Sequence, residues 1–205
     1  MRALGLALTL VLAACGGGAG GRPVATSAPR VSFPPLTATP TVAASATAVA
    51  SPTATACAIK QFTEPATKAV VQLASGASFT ITLRPDKAPN TVRNFANIAR
   101  SGCYDNLIFH RVEPNFVIQG GDPLGNGTGG GSQPTELSDL PFVKGAVGIA
   151  RGNDIKVSNQ FQFFVCIGEC RNLDNMYTNF GTVTEGQAVA DAVKIGDRMK
   201  TITIP

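Results

Sequence analysis

No apolar run in this 205-residue chain is long enough to cross a bilayer. The longest, in the opening MRALGLALTLVLAAC, has about a dozen apolar residues, against the roughly 20 that a spanning helix needs. Acidic residues are missing from the first 57 positions. All 13 lie beyond them, together with 14 of the 17 lysines and arginines. The C-terminal part is therefore near electroneutrality, and the whole-chain pI of 8.9 overstates its basicity. No cluster or helix of Lys and Arg stands out, which leaves nucleic-acid binding without its electrostatic footprint. There is no internal repeat.

Several catalytic classes also lack their signatures. No G-x-S-x-G presents a serine on a strained turn. The stretch GNGTGG at 125–130 matches G-x-G-x-x-G, but a dinucleotide fingerprint must open a helix. The following GSQPTELSDLP has two prolines and no helical period, so these glycines predict a flexible surface loop and no cofactor. Glu113 and Asp122 are carboxylates that turns can use as readily as catalysis can. There is one histidine, His110, and the cysteine spacing does not fit a zinc site. No metal is expected.

What is present divides into three parts. Residues 1–14 have a basic start at Arg2 and a short apolar core, the layout of a secretory signal. They end in Leu12-Ala13-Ala14 before Cys15, which resembles a bacterial lipobox with Cys15 as the lipidated residue. Residues 15–57 are dominated by Gly, Ala, Thr, Ser, Pro and Val, with few large groups to bury, and predict a disordered tether. Such a coil spans about 35 Å on average and can extend toward ~120 Å. Residues 58–205 suffice for one hydrophobic core. The expectation is thus an exported lipoprotein held at a membrane through Cys15.

Four further cysteines, Cys57, Cys103, Cys166 and Cys170, allow three disulfide pairings in an exported domain. Cys166 and Cys170 lie four apart around a strand end, close enough to bridge, which leaves Cys57 with Cys103.

Within the domain, AVVQL and FTITLR flank a Gly turn and predict a hairpin. PDKAPNTVRNFANIARSG predicts a helix that begins near Pro89 and stops at Gly102, with Val92, Phe95, Ala96 and Ala99 on one face. LIFHRV, FVIQG, GAVGIAR, QFFVCI, TNFGTV and KTITI read as short strands, and a second helix fits about Gly186–Lys194. Eight strands and two helices suggest a mainly β fold, a closed antiparallel barrel with helices over its ends.

The most informative segment is FHRVEPNFVIQGGD, residues 109–122. Together with RPDKAPNTVRNF, GTGGGS, GAVGIAR, QFFVC and LDNMYTNFGTV, in that order, it resembles the cyclophilin family of peptidyl-prolyl cis–trans isomerases from about Ala69 to Ile204. The resemblance implies a closed eight-stranded barrel capped by two helices, action on Pro-containing polypeptides, no cofactor and a monomer. By position, Arg111 matches the catalytic arginine, with Phe116 and Gln119 beside it. Val117, Ala150, Arg151, Phe164, Leu173 and Tyr177 match residues that line the proline pocket and groove. His110 is expected to pack behind the strand, because isomerisation breaks no bond and needs no proton.

The chain departs from the family pattern in three places. Having no tryptophan, it carries Asn172 where the best-known members have a pocket Trp, which weakens the expectation of cyclosporin binding. Phe161 replaces a small serine, and its bulk could narrow the groove or pack beneath it. Ser132–Lys144 diverges in sequence. Phe161 and Asn172 also leave open a second reading, a cyclophilin-fold module that binds Pro-containing segments without turning them over.

Overall fold

The computed structural model describes residues 57–205. The expected signal, Cys15 and all of the tether but Cys57 lie outside the described residues. The domain begins with a hairpin, β1 (Lys68–Leu73) and β2 (Ser78–Leu83). Alternation along the strands puts Ala69, Val71 and Leu73 in the core with Phe79, Ile81 and Leu83, as the period of two requires. Helix α1 (Pro89–Arg100) follows, with proline in its first turn. No side chain at its N-cap satisfies the free amides of that turn. Glu136, from a distant loop, does so instead, accepting from the Asn90 N–H (3.1 Å) and the Thr91 N–H (2.7 Å). These bonds hold the Glu136 carboxyl below its ordinary pKa against the opposing effect of burial, which is the largest single influence on it.

The other strands are β3 (Phe109–Glu113), β4 (Val117–Gly120), β5 (Ser132–Pro134), β6 (Ala146–Arg151), β7 (Val157–Cys166), β8 (Asn179–Glu185) and β9 (Met199–Thr203). A short helix, α2 (Gln187–Asp191), precedes β9. All pairings are antiparallel, in the order β3-β4-β7-β6-β8-β2-β1-β9, with β5 added to the start of β7. The sheet curls around an aromatic core in which Phe95 of α1 meets Tyr104, Phe163 and Phe180, with ring centroids 5.1–5.5 Å apart.

Three expectations change here. The closed eight-stranded barrel is an open half-barrel of nine strands. Between its end strands β3 and β9 there is no ladder, only an isolated bridge, Ile108 to Arg198, and a few flanking backbone hydrogen bonds. The ninth strand is β5, from the divergent segment, which runs beside the long β7 until Pro134. The second helix is shorter than expected, because the chain leaves it at Ala192 and Val193 turns into the core.

The cysteines are the third change. Cys57 and Cys103 form a disulfide, but Cys166 and Cys170 remain separate buried thiols. Cys166 closes β7, and the Cys170 thiol points to the Phe116 carbonyl (3.3 Å). A hydrogen bond with Cys170, reinforced by burial, pushes the Cys166 thiol pKa far up and keeps it protonated. Both sulfurs belong to a second apolar cluster with Val117, Phe142, Ala146, Phe164 and Leu173, against which Phe116 and Tyr177 pack.

Candidate active site

This second cluster is the floor of a cleft on the outer face of the sheet. A register shift between Phe109 and Arg111 sets Arg111 directly opposite Gln119 on the neighbouring strand. The Arg111 Nη1 donates to Gln119 Oε1 (3.2 Å), and its Nε lies 3.4 Å from Glu113 Oε1. Gln119 in turn donates from Nε2 to Gln162 Oε1 (2.9 Å). Gln162 donates onward to the carbonyls of Gly127 (3.1 Å) and Gly129 (2.8 Å). The guanidinium thus stands at one end of a chain of amides that runs across β4 and β7 to the glycine-rich loop.

Opposite Arg111 the wall is aromatic. The Phe164 ring stacks on Phe142 at 5.6 Å and meets Tyr177 edge-on at 5.7 Å. Gly148, paired with Phe164 across β6 and β7, leaves room for this ring; a Cβ there would overlap both Phe164 and Phe142. The 3-10 turn Arg171–Leu173 presents Leu173. Arg151, at the end of β6, lies over the Tyr177 ring at 4.4 Å. Arg111, Phe116, Val117, Gln119, Ala150, Arg151, Phe164, Leu173 and Tyr177 together line one cavity of about 150 Å³. A larger groove of about 340 Å³ runs along α1 by Phe62 and Arg100, where Asn97 and Arg100 are engaged in bonding the segment before β1.

All nine residues named from sequence meet in this cleft. Gln162 was missed, although it lies two residues before Phe164 in QFQFF and so shares the cleft-side face of β7 by strand alternation. Asn172 does not line the cleft. Phe161 packs beneath the groove, in the main core, edge-on to Tyr104 at 6.1 Å.

The glycine-rich loop is not the free loop expected. The Asp122 carboxylate accepts the N–H groups of Leu124 (3.0 Å), Asn126 (2.9 Å) and Gly127 (2.6 Å), and Asn159 donates to the Gly129 carbonyl (2.9 Å). Below this loop sits His110, the residue passed over by the register shift. Neither of its ring nitrogens has a hydrogen-bond partner. Burial lowers its pKa; Asp122 opposes that shift and Arg111 adds to it. The imidazole is therefore neutral at neutral pH. We expect kcat/KM to stay level from about pH 7 to 9, above the ordinary histidine pKa of ~6.5. A pH–rate profile that steps within that range would give a titrating group a part in turnover.

Residues 69–204 match the profile of the cyclophilin-type peptidyl-prolyl cis-trans isomerase/CLD family. The chain belongs to this family. Among its relatives, a peptidyl-prolyl cis-trans isomerase of Synechococcus elongatus is 36% identical over 144 residues, 67% of this chain and 96% of the relative. Peptidyl-prolyl cis-trans isomerase B of Bacillus subtilis is 37% identical over 134 residues, 64% of this chain and 94% of the relative. An Arabidopsis thaliana isomerase is 39% identical over 142 residues, and there the match spans only 28% of the relative. A Cryptosporidium parvum cyclophilin-type isomerase, solved in the presence of the dipeptide Ala-Pro, superposes with a TM-score of 0.61 at 26% identity, covering 67% of this chain and 98% of that one. The protein is a cyclophilin-type isomerase with a half-barrel fold.

Proposed function

We propose that this cyclophilin accelerates X-Pro isomerisation in exported proteins, with Arg111 stabilising the twisted amide above a proline pocket floored by Phe164. The convergence of a positioned guanidinium and an aromatic floor in one small cleft carries this reading. The barrier to rotation, ~18–20 kcal/mol, comes from amide resonance. Twisting frees the nitrogen lone pair, and a donor that meets the altered charge lowers the barrier without any bond being broken. A guanidinium suits the task because it is always charged and its donors are rigidly arrayed.

Phe116, Phe164 and Leu173 grip the proline ring, while Val117, Ala150, Arg151 and Tyr177 wall the groove. Gln119 uses one acceptor site on Arg111 and one donor on Gln162, which leaves one of each for the flanking peptide backbone. The Ala-Pro dipeptide of the Cryptosporidium relative is a ligand of the class this pocket would take. The test is cis-to-trans relaxation of an Ala-Pro peptide with the full chain, where absence of acceleration would end the reading.

The exported setting rests on the signal-like residues 1–14 and on the Cys57–Cys103 bridge, since disulfides persist in oxidising compartments. In this reading Cys15 is lipidated, residues 15–57 form the tether, and the protein works as a membrane-anchored monomer at an extracytoplasmic face or in the periplasm. Cys15→Ser is expected to move the protein from the membrane fraction to the soluble one. Unchanged partitioning of the variant would refute the anchor.

A further inference from the structure

The charges around the cleft do not balance. Of its nine lining residues two are arginines and none is a carboxylate. Arg111 has Glu113 within 3.4 Å. Arg151, among the described residues, takes part in no ion pair. It is nonetheless held in place. Its plane lies on Tyr177 (4.4 Å), its Nε donates to the Met176 carbonyl (2.8 Å) and its Nη1 to that of Gly152 (2.9 Å). These bonds use two of the five N–H groups of a guanidinium and leave three for a ligand. The one nearby carboxylate on the following loop, Asp154, is turned to the Lys156 amide (2.9 Å), and Lys156 adds a further positive charge there.

We infer that Arg151 makes this cleft selective for X-Pro segments that carry an acidic residue close to the proline. The inference rests on the isomerase reading and names its substrate class. One aromatic ring separates the guanidinium from Phe164, because Tyr177 touches both. An extended chain advances about 3.3–3.6 Å per residue, so a carboxylate one to three positions from a proline seated on Phe164 comes within reach. Arg is the cation best matched to this, since its planar fork meets a carboxylate through two parallel hydrogen bonds. Stacking on Tyr177 and the two carbonyl bonds fix the fork before substrate arrives, so little rotamer freedom is lost on binding. Specificity from such a contact is a difference between substrates: an acidic neighbour gains a partner, a basic one meets the unpaired cation of Arg151.

The test uses the full chain in detergent and exchange NMR on blocked X-Pro peptides. Ala, Glu or Lys is placed in turn at each of the three positions before and after the proline. At low ionic strength we expect kcat/KM for the best Glu peptide to exceed that of its Lys counterpart by about three- to tenfold, the range of one pair of exposed charges at contact. The ratio should fall toward one near 1 M salt, where screening acts over about 3 Å. R151Q should remove the preference, R151E should invert it, and R151K should keep part of it. Because the ratio is taken within each variant, a general loss of activity cancels. Equal rates for Glu and Lys at every position, or a preference that survives R151Q, would overturn the inference. Failure to accelerate even the all-alanine peptide would instead overturn the isomerase reading on which it rests.

Discussion

Arg111→Ala is expected to lower kcat/KM for an Ala-Pro peptide by about 10²–10³-fold, the usual cost of removing one preorganised donor from a developing charge. The loss should fall on kcat more than on KM, because the guanidinium acts on the twisted amide and the ground-state peptide is held by the apolar floor and Gln119. Stability should change little. The Arg111 side chain is about half exposed, and its contacts are a single bond to Gln119 and a surface pair with Glu113. Exposed pairs of this kind contribute about 0–1 kcal/mol. Arg111→Lys separates charge from geometry: a flexible point charge cannot reproduce the fork that faces Gln119, so most of the defect should persist. If the alanine variant turns over peptide as fast as the parent chain, Arg111 is not the donor.

The loss has a second route, and Gln162 distinguishes the two. Arg111, Gln119 and Gln162 are joined in series, so deleting the guanidinium also frees one end of Gln119. A Gln162→Leu variant breaks the series at its far end and leaves Arg111 in place. A defect there that is smaller and weighted toward KM would mark the chain as support for peptide binding and leave the rate effect with Arg111.

Much of the domain can be read in the sequence because its local signals agree with the fold. The alternation in AVVQL and FTITLR becomes the β1–β2 hairpin, and the apolar spacing from Val92 to Ala99 becomes the buried face of α1. The cleft was legible residue by residue because the segments that carry the cyclophilin resemblance contain its nine residues; six stand on β3, β4, β6 and β7, while Phe116, Leu173 and Tyr177 come from turns between strands. What the sequence hides is long-range. Nothing near Asn90 announces that its amide is satisfied by Glu136, 46 positions away. Barrel closure depends on how the strands at opposite ends of the sheet meet, and here the residues leading into β3 and β9 meet at one isolated bridge, Ile108 to Arg198. The thiols mislead for a similar reason: a spacing of four suggests a bridge, but the Phe116 carbonyl takes up Cys170. The glycine-rich loop looks unstructured until Asp122 and Gln162, on either side of it, gather its amides and carbonyls.

Loss of the Cys57–Cys103 bridge is expected to cause the largest change in stability. Its ends are 46 residues apart, for which loop-closure entropy in the unfolded chain gives about 4 kcal/mol. That figure is an upper bound, because an unbridged native chain regains freedom if the segment before β1 lifts away. Its attachments to α1 are modest: Lys60 N–H to Ser101 Oγ (2.8 Å), Phe62 N–H to Asn97 Oδ1 (3.0 Å), Arg100 to the Glu64 carbonyl (2.9 Å), and Arg100 over the Phe62 ring (5.8 Å). Cys57→Ser should therefore cost about 2–4 kcal/mol, a fall in Tm of roughly 5–15 °C for a domain of this size. Calorimetry of the parent chain and the variant, each with and without reductant, checks this. Reductant should bring the parent down to the level of the variant and leave the variant unmoved, because Cys166 and Cys170 are already thiols. A further drop in the reduced variant would mean that a second bridge exists. Isomerase activity at 25 °C should be nearly the same in all four samples, since no residue of the cleft touches the segment that the bridge holds.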